Sequence, residues 1–276
     1  MDPSLAKGIK NQLFRELSDE IDDMRGHWRK YIKDSKLGSS RTNWDKFCQG
    51  VNAPLGPFLL AKYHGGSKKH PLLCLATFEG GERQYNSWNE NCISSNFFYA
   101  GHNPLWVDSM PAGFSISEHA IQRIFERSYT DGAPLKTDFK KINFTNELRH
   151  APLWSFFWFI NGNEQLKNTD ISSFPIIIPS ESGLLLGEVP NFNLRNNDSL
   201  RCEIRTFIAQ PQLNPRQLEL MQVMTEISEK YTDSVVPFLA NPYVNQQPIY
   251  QPQFHEFFLK TQDLKELLRA EHDISI

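Results

Sequence analysis

Apolar positions at the start of the chain recur at helical spacing. Leu5, Ile9, Leu13, Leu17, Ile21, Met24, Trp28 and Tyr31 form one stripe. It advances about 3.7 residues per step, near the straight-helix period and above the heptad's 3.5. This predicts a long helix packed along a globular body, with self-association as the alternative. The helix should end near Asp34, before a polar stretch holding Gly38, Ser39 and Ser40. Two short apolar runs, 56–63 and 72–78, then flank the turn-rich tip 64–70, which predicts a β-hairpin. That tip reads as an exposed turn; its Gly65, Gly66, Lys68 and Lys69 allow a phosphate nest as the alternative. Residues 79–96 are polar and turn-rich. Phe97–Tyr99 and Leu105–Val107 are short strand candidates.

The segment Phe114–Arg127 carries the clearest helical pattern. Ser115 is placed to cap it, with Glu118 three residues on in the capping-box position. Ala120, Ile121, Ile124, Phe125 and Ser128 fall on one side at about 100° per residue. His119, Gln122, Arg123 and Glu126 fall on the other, with Arg127 at the flank. A second helical region is expected over 139–160. Its Leu153–Ile160 part is apolar nearly all round, and so buried as helix or strand.

The next block reads as strand. Phe174–Ile178 and Gly183–Val189 flank a hairpin turn over Pro179–Ser182, and Leu200–Ala209 follows after a loop. Strict alternation in the last would set Cys202, Ile204, Thr206 and Ile208 on one face. Arg201, Glu203, Arg205 and Phe207 would then face the other way. Three such strands in sequence predict an antiparallel meander. Asn214 with Pro215 opens another helix, running to about Tyr231. A Pro/Gln-rich strap over 243–254 and a last helix over 257–269 complete the pattern. The fold class is α+β: a long N-terminal helix and β-hairpin, then a helix followed by an antiparallel sheet, then C-terminal helices. The expected organisation is an N-terminal region 1–109, an α+β core 110–240 and a strap with the final helix over 241–276.

Bulk composition narrows the function classes. Of 276 residues, 39% are hydrophobic and 22% charged, which is a globular rather than a disordered balance. A net charge of −3 argues against a protein that coats nucleic acid generally, though not against a local basic cleft. The four cysteines, Cys48, Cys74, Cys92 and Cys202, match no zinc or disulfide spacing. Free thiols in a reducing cytoplasm are expected. The opening residues hold no apolar signal region, and the longest apolar run is too short to span a bilayer. No metal and no cofactor are expected, since the histidines show no paired ligand spacing and no nucleotide-binding loop is present. Asn143 and Asn197 match the glycosylation pattern by chance.

The candidate chemistry lies on the polar face of the Phe114–Arg127 helix. Imidazole moves protons near neutral pH, and guanidinium clamps phosphate in a fork. A solvated face of an ordinary helix has the same composition. His119, Arg123 and Arg127, followed by a meander whose third strand carries Arg205 and Thr206, resemble the ribonuclease fold shared by barnase and the RelE-type bacterial toxins. They are similar to a branch in which a His-x-x-x-Arg-x-x-x-Arg helix opens the domain. The resemblance covers about 110–215. It implies metal-independent cleavage of RNA through the 2′-hydroxyl. His119, Arg123, Arg205 and Glu126 would be the catalytic residues, and Arg127 and Thr206 the substrate-binding ones. It also implies a cytoplasmic setting in bacterial defence and a neutralising protein partner. The alternative is a non-catalytic RNA- or protein-binding module on a degenerate toxin fold.

Overall fold

The computed structural model describes residues 1–15, 42, 46, 59–63, 73–85, 91–102, 105–110, 113–128, 144–166, 170–191, 202–239, 255–261 and 264. The expected helix beyond residue 15, the hairpin tip 64–70, the start of the 139–160 region and the strap 243–254 lie outside the described residues.

Helix α1 covers 3–15. Asp2 opens it by accepting the Ser4 amide at 2.8 Å. Ala6, Ile9, Leu13 and Phe14 are buried, whereas Leu5 is 53% exposed. The buried stripe is therefore rotated from the expected one, with Ala6 replacing Leu5. Over residues 3–15, α1 is the packed helix its pattern predicts.

Strands β1 (Leu59–Tyr63), β2 (Leu73–Tyr85), β3 (Asn91–His102) and β4 (Leu105–Met110) follow. The first hairpin is present, with Leu59 opposite Thr77 and Tyr63 opposite Leu73. The polar, turn-rich stretch 79–96 is strand over its described residues, since β2 runs through 79–85 and β3 through 91–96. Backbone pairing needs no apolar side chains, and a register irregularity between Gly80 and Tyr85 accommodates the glycine-rich part.

Strand β5 (Phe114–Ser117) was hidden in the expected central helix, which as α2 covers only Glu118–Ser128. All four β5 residues are buried. A strand covered on both faces shows no alternation, so the periodic signal of α2 swallowed it. Helix α3 (Ala151–Leu166) resolves the apolar run around Leu153–Ile160 as helix. It leads to β6 (Ser173–Pro179), β7 (Gly183–Pro190) and β8 (Cys202–Ala209). These form the predicted antiparallel meander, turning at Ser180 where its amide bonds the Gly183 carbonyl at 2.9 Å. A 3-10 turn, Gln210–Gln212, precedes α4 (Pro215–Leu239), and α5 covers 255–261. The predicted cap of α4 is reciprocal: Asn214 Oδ1 accepts the Gln217 amide at 2.9 Å, and Gln217 Oε1 accepts the Asn214 amide at 3.2 Å. Helix α4 continues past Tyr231, where the sequence pattern had ended it.

The eight strands form one mixed sheet in the order β1-β2-β3-β5-β8-β7-β6, with β4 beside β3. It runs across the 109/110 position. The join is β5, antiparallel to β3 and parallel to β8, with Phe114 opposite Cys202 and Ile116 opposite Ile204. Helix α3 lies on the meander. At Gly162 an added Cβ would stand 3.1 Å from the Val189 side chain, so the glycine lets the helix lie close to β7, and Trp158 Nε1 donates to the Ile177 carbonyl at 2.5 Å. Trp154 Nε1 donates to Ser228 Oγ at 2.7 Å, which seats α4 on α3. Phe257 of α5 then contacts the rings of Trp154, Phe157 and Tyr231. Among the described residues, Cys92 and Cys202 are buried and form no disulfide.

Candidate functional site

The corner where α2 leaves β5 holds the residues singled out from sequence. The N-cap is Ser117, not Ser115, which lies in β5 opposite Ser94 of β3 and Glu203 of β8. Ser117 Oγ accepts the Ala120 amide at 3.1 Å and donates to the Arg205 carbonyl at 3.1 Å. One hydroxyl thus caps α2 and ties its first turn to β8.

Arg205 sits at a β-bulge. Leu186 pairs with Thr206 but Gly187 with Ile204, which leaves Arg205 as the extra residue on β8. A side chain at Gly187 would run into the Glu203 carbonyl oxygen, so only glycine allows this close approach. The bulge overturns the expected alternation. Cys202, Ile204, Phe207 and Ala209 are buried apolar residues, while Thr206 and Ile208 are half-buried. Parity switches at Arg205 and moves Phe207 to the core.

Pairing between β5 and β8 stops at Ile204, and α2 then covers the open β8 edge. Ser117 takes the Arg205 carbonyl, and Arg127 Nη1 donates to the Phe207 carbonyl two residues on. Both carbonyls point away from β7, and both would otherwise be left open. Burial, and then the like charge of Arg123, lowers the pKa of Arg127 from the usual guanidinium value.

On α2 itself, Glu126 accepts from Gln122 Nε2 at 2.8 Å and from Arg123 Nη1 at 2.7 Å. Burial alone would raise its pKa. The Gln122 bond and the charges and bond of Arg123, with Arg127 behind, outweigh it and hold the carboxyl below its ordinary value. His119 is exposed, one turn before Arg123. Arg205 and Thr206 are half-buried on β8. The structure therefore bonds Arg123 to Glu126, Arg127 to β8, and the Arg205 backbone to the start of α2. Helix α1 abuts this corner: Lys10, itself buried, forms an ion pair with Glu118, and Asn91 Nδ2 donates to Glu118 Oε2 at 3.3 Å.

A second polar centre lies at the other end of α2. Buried Glu147 accepts the Ser182 amide at 3.1 Å and the Ser182 hydroxyl at 2.5 Å, and Ser182 Oγ is 2.7 Å from Ser128 Oγ. This joins α2, the 144–150 turn (one helical turn over 144–147, then 148–150) and the β6–β7 hairpin. Beside it, a cavity of about 470 Å³ opens between that turn, the hairpin and α4, lined by Arg149, His150, Ser180, Glu181, Glu226 and Glu229 among others. His150 and Ser180 are 5% and 2% exposed, and neither His150 Nδ1 nor Ser180 Oγ has a hydrogen-bond partner among the described residues. Burial, reinforced by Arg149, pushes the His150 pKa down to about 4. The sequence pattern missed this centre. Its residues come from a turn, a hairpin tip and the outer face of α4, with no shared period; the Ser-Glu-Ser-Gly tip was the one available signal.

Comparisons with protein-family models, with curated proteins and with solved structures each return no match. Among the described residues, no helix is long and apolar enough to cross a membrane. Also among them, no three His, Cys, Asp or Glu side chains gather around one point as metal ligands would.

Proposed function

We propose that the α2–β8 corner is a phosphodiester site and that the chain cleaves RNA through its 2′-hydroxyl. The observation that carries this reading is the pair of hydrogen bonds at the Ser117 hydroxyl, which fixes the first turn of α2, bearing His119, against the bulged Arg205. Cleavage needs a proton carrier, and cations for the charge on the phosphorane. His119 serves as the proton carrier. Arg205 and Arg123 serve as the cations, because the Arg123–Glu126 pair is a partly exposed contact that a phosphate can displace. Glu126, held ionised, is a counter-charge rather than an acid. Arg127 spends one N–H on the sheet edge and offers phosphate only the remainder. Thr206 would add a hydroxyl contact beside Arg205. This chemistry requires no metal.

A second reading, an RNA- or protein-binding module without cleavage, is favoured by the same Arg127 and Arg123 bonds, which leave less free cation than phosphorane stabilisation calls for. One assay separates the two: fluorescent RNA oligonucleotides in chelator, with the products analysed for 2′,3′-cyclic phosphate ends. The nuclease reading expects cleavage that His119→Ala reduces by about 10²–10⁴-fold. Binding without cleavage, weakened by Arg205→Ala, selects the module. Cleavage indifferent to His119 rejects the site.

A further inference from the structure

We propose that the cavity between the 144–150 turn, the β6–β7 hairpin and α4 is a binding site for a small organic cation of the alkyl di- or polyamine class. The argument begins with two orphaned atoms. Native folds seldom bury polar atoms without partners, because each such atom has lost its water and gained nothing. Here two of them, His150 Nδ1 and Ser180 Oγ, belong to residues that line one cavity from different elements. Both side chains are more than nine-tenths buried. A ligand that donates hydrogen bonds to them completes both.

The charges on the walls choose the ligand. Glu181, Glu226 and Glu229 stand against one cation, Arg149, so the lining carries a net negative charge. All four of these residues are exposed at the rim. An ammonium group is a donor and carries the complementary charge. Two of them on one short chain can reach a carboxylate at the rim and an acceptor below. His150 suits this role because its burial keeps the imidazole neutral at physiological pH, so that a ring nitrogen can accept. The volume, about 470 Å³, lies in the range of small-molecule sites. Nothing in this site belongs to the α2–β8 corner, and the proposal does not depend on RNA chemistry there.

The same alkylammonium chemistry is presented by a free polyamine and by a lysine side chain of another protein. The test is titration calorimetry on the full chain with 1,4-diaminobutane, spermidine and a lysine amide, with 1,4-butanediol as the uncharged control. Saturable binding of a diamine or spermidine, absent for the diol, is the expected result. Glu226→Gln/Glu229→Gln should weaken it about fivefold, as partly screened charge pairs do. Ser180→Ala should weaken it by a similar factor through one lost hydrogen bond. The double variant lies on the exposed face of α4 and should leave the melting temperature unchanged. Preference for the lysine amide would assign the ammonium to a protein partner's side chain. No saturable binding of any amine, binding of the diol as tight as that of the diamine, or binding unaffected by both variants would overturn the site.

Discussion

Two regions of this molecule hold the same residue types in opposite circumstances. At the α2–β8 corner, Glu126 is held by Gln122 and Arg123, Arg127 by a strand carbonyl, and His119 faces solvent. Around the cavity, His150 and Ser180 are buried with polar atoms left open. A paired or solvated group costs the fold little, whereas an orphaned buried group costs about 1–3 kcal/mol. The corner has therefore been built into the architecture of the sheet. The cavity works against stability, and that is the mark of a surface waiting for something to fill it.

The largest expected effect probes how far the corner depends on the sheet. Gly187→Ala places a Cβ against the Glu203 carbonyl where the bulge forms. The strands must separate, and we expect a loss of about 3–4 kcal/mol by chemical denaturation, in the range of severe backbone clashes. A loss below about 1 kcal/mol would mean that the bulge relaxes easily and does not fix Arg205. Ala at Gly8, where a Cβ meets nothing within 4 Å, is the control.

Next in size is a pH effect specific to the cavity. The folded His150 pKa is about 4, below the unfolded value of 6.5. Between these values the unfolded chain binds a proton that the folded chain refuses. Stability is thus full above about pH 6.5 and falls as the pH drops to about 4, by at most about 3 kcal/mol. Subtracting the profile of His150→Phe isolates this contribution from the carboxylates.

The two arginines of the corner divide the same way. Arg127→Met leaves the Phe207 carbonyl open on a covered edge, and should cost about 2 kcal/mol, as expected for a bond from a charged donor. Arg123→Ala removes a partly exposed pair within one helix, and should cost less than about 1 kcal/mol. Equal losses would show that α2 is not held to β8 through Arg127.

How far the sequence announced these regions follows from the range of the forces involved. Local signals were read well. The stripe of Ile121, Ile124 and Phe125 put the polar face of α2 outward, Asn214 with Pro215 marked the start of α4, and the meander turned within Pro179–Ser182. Features set by pairing were not. Strand β5 is buried on both faces and carries no period, so Ser115 passed for a cap. The bulge at Arg205 exists because β7 and β8 align as they do, and no alternation within Leu200–Ala209 predicts that Phe207 turns inward. The cavity lay further still from any local pattern. Glu147 and His150 occupy one turn, Ser180 another, and α4 arrives from some forty residues downstream. Only the packing of α3 between sheet and α4 brings them together.

The smallest prediction is also the one that reverses sign between the regions. Ser180→Ala deletes a hydroxyl that has no partner, and it leaves a methyl where a buried polar atom stood. Ala should therefore be neutral or should stabilise the chain by up to about 1 kcal/mol, since replacing an unsatisfied group removes its desolvation cost. Ser117→Ala at the corner makes the same chemical change. There the hydroxyl serves both the α2 cap and the Arg205 carbonyl, and the loss should be about 1–2 kcal/mol. Both are read from melting curves at neutral pH with no amine present. If both serines prove stabilising to the same degree, Ser180 has a partner in solution and the cavity is an ordinary surface cleft. If the signs differ, one hydroxyl is kept for the fold and the other at the fold's expense, which is what a binding site demands.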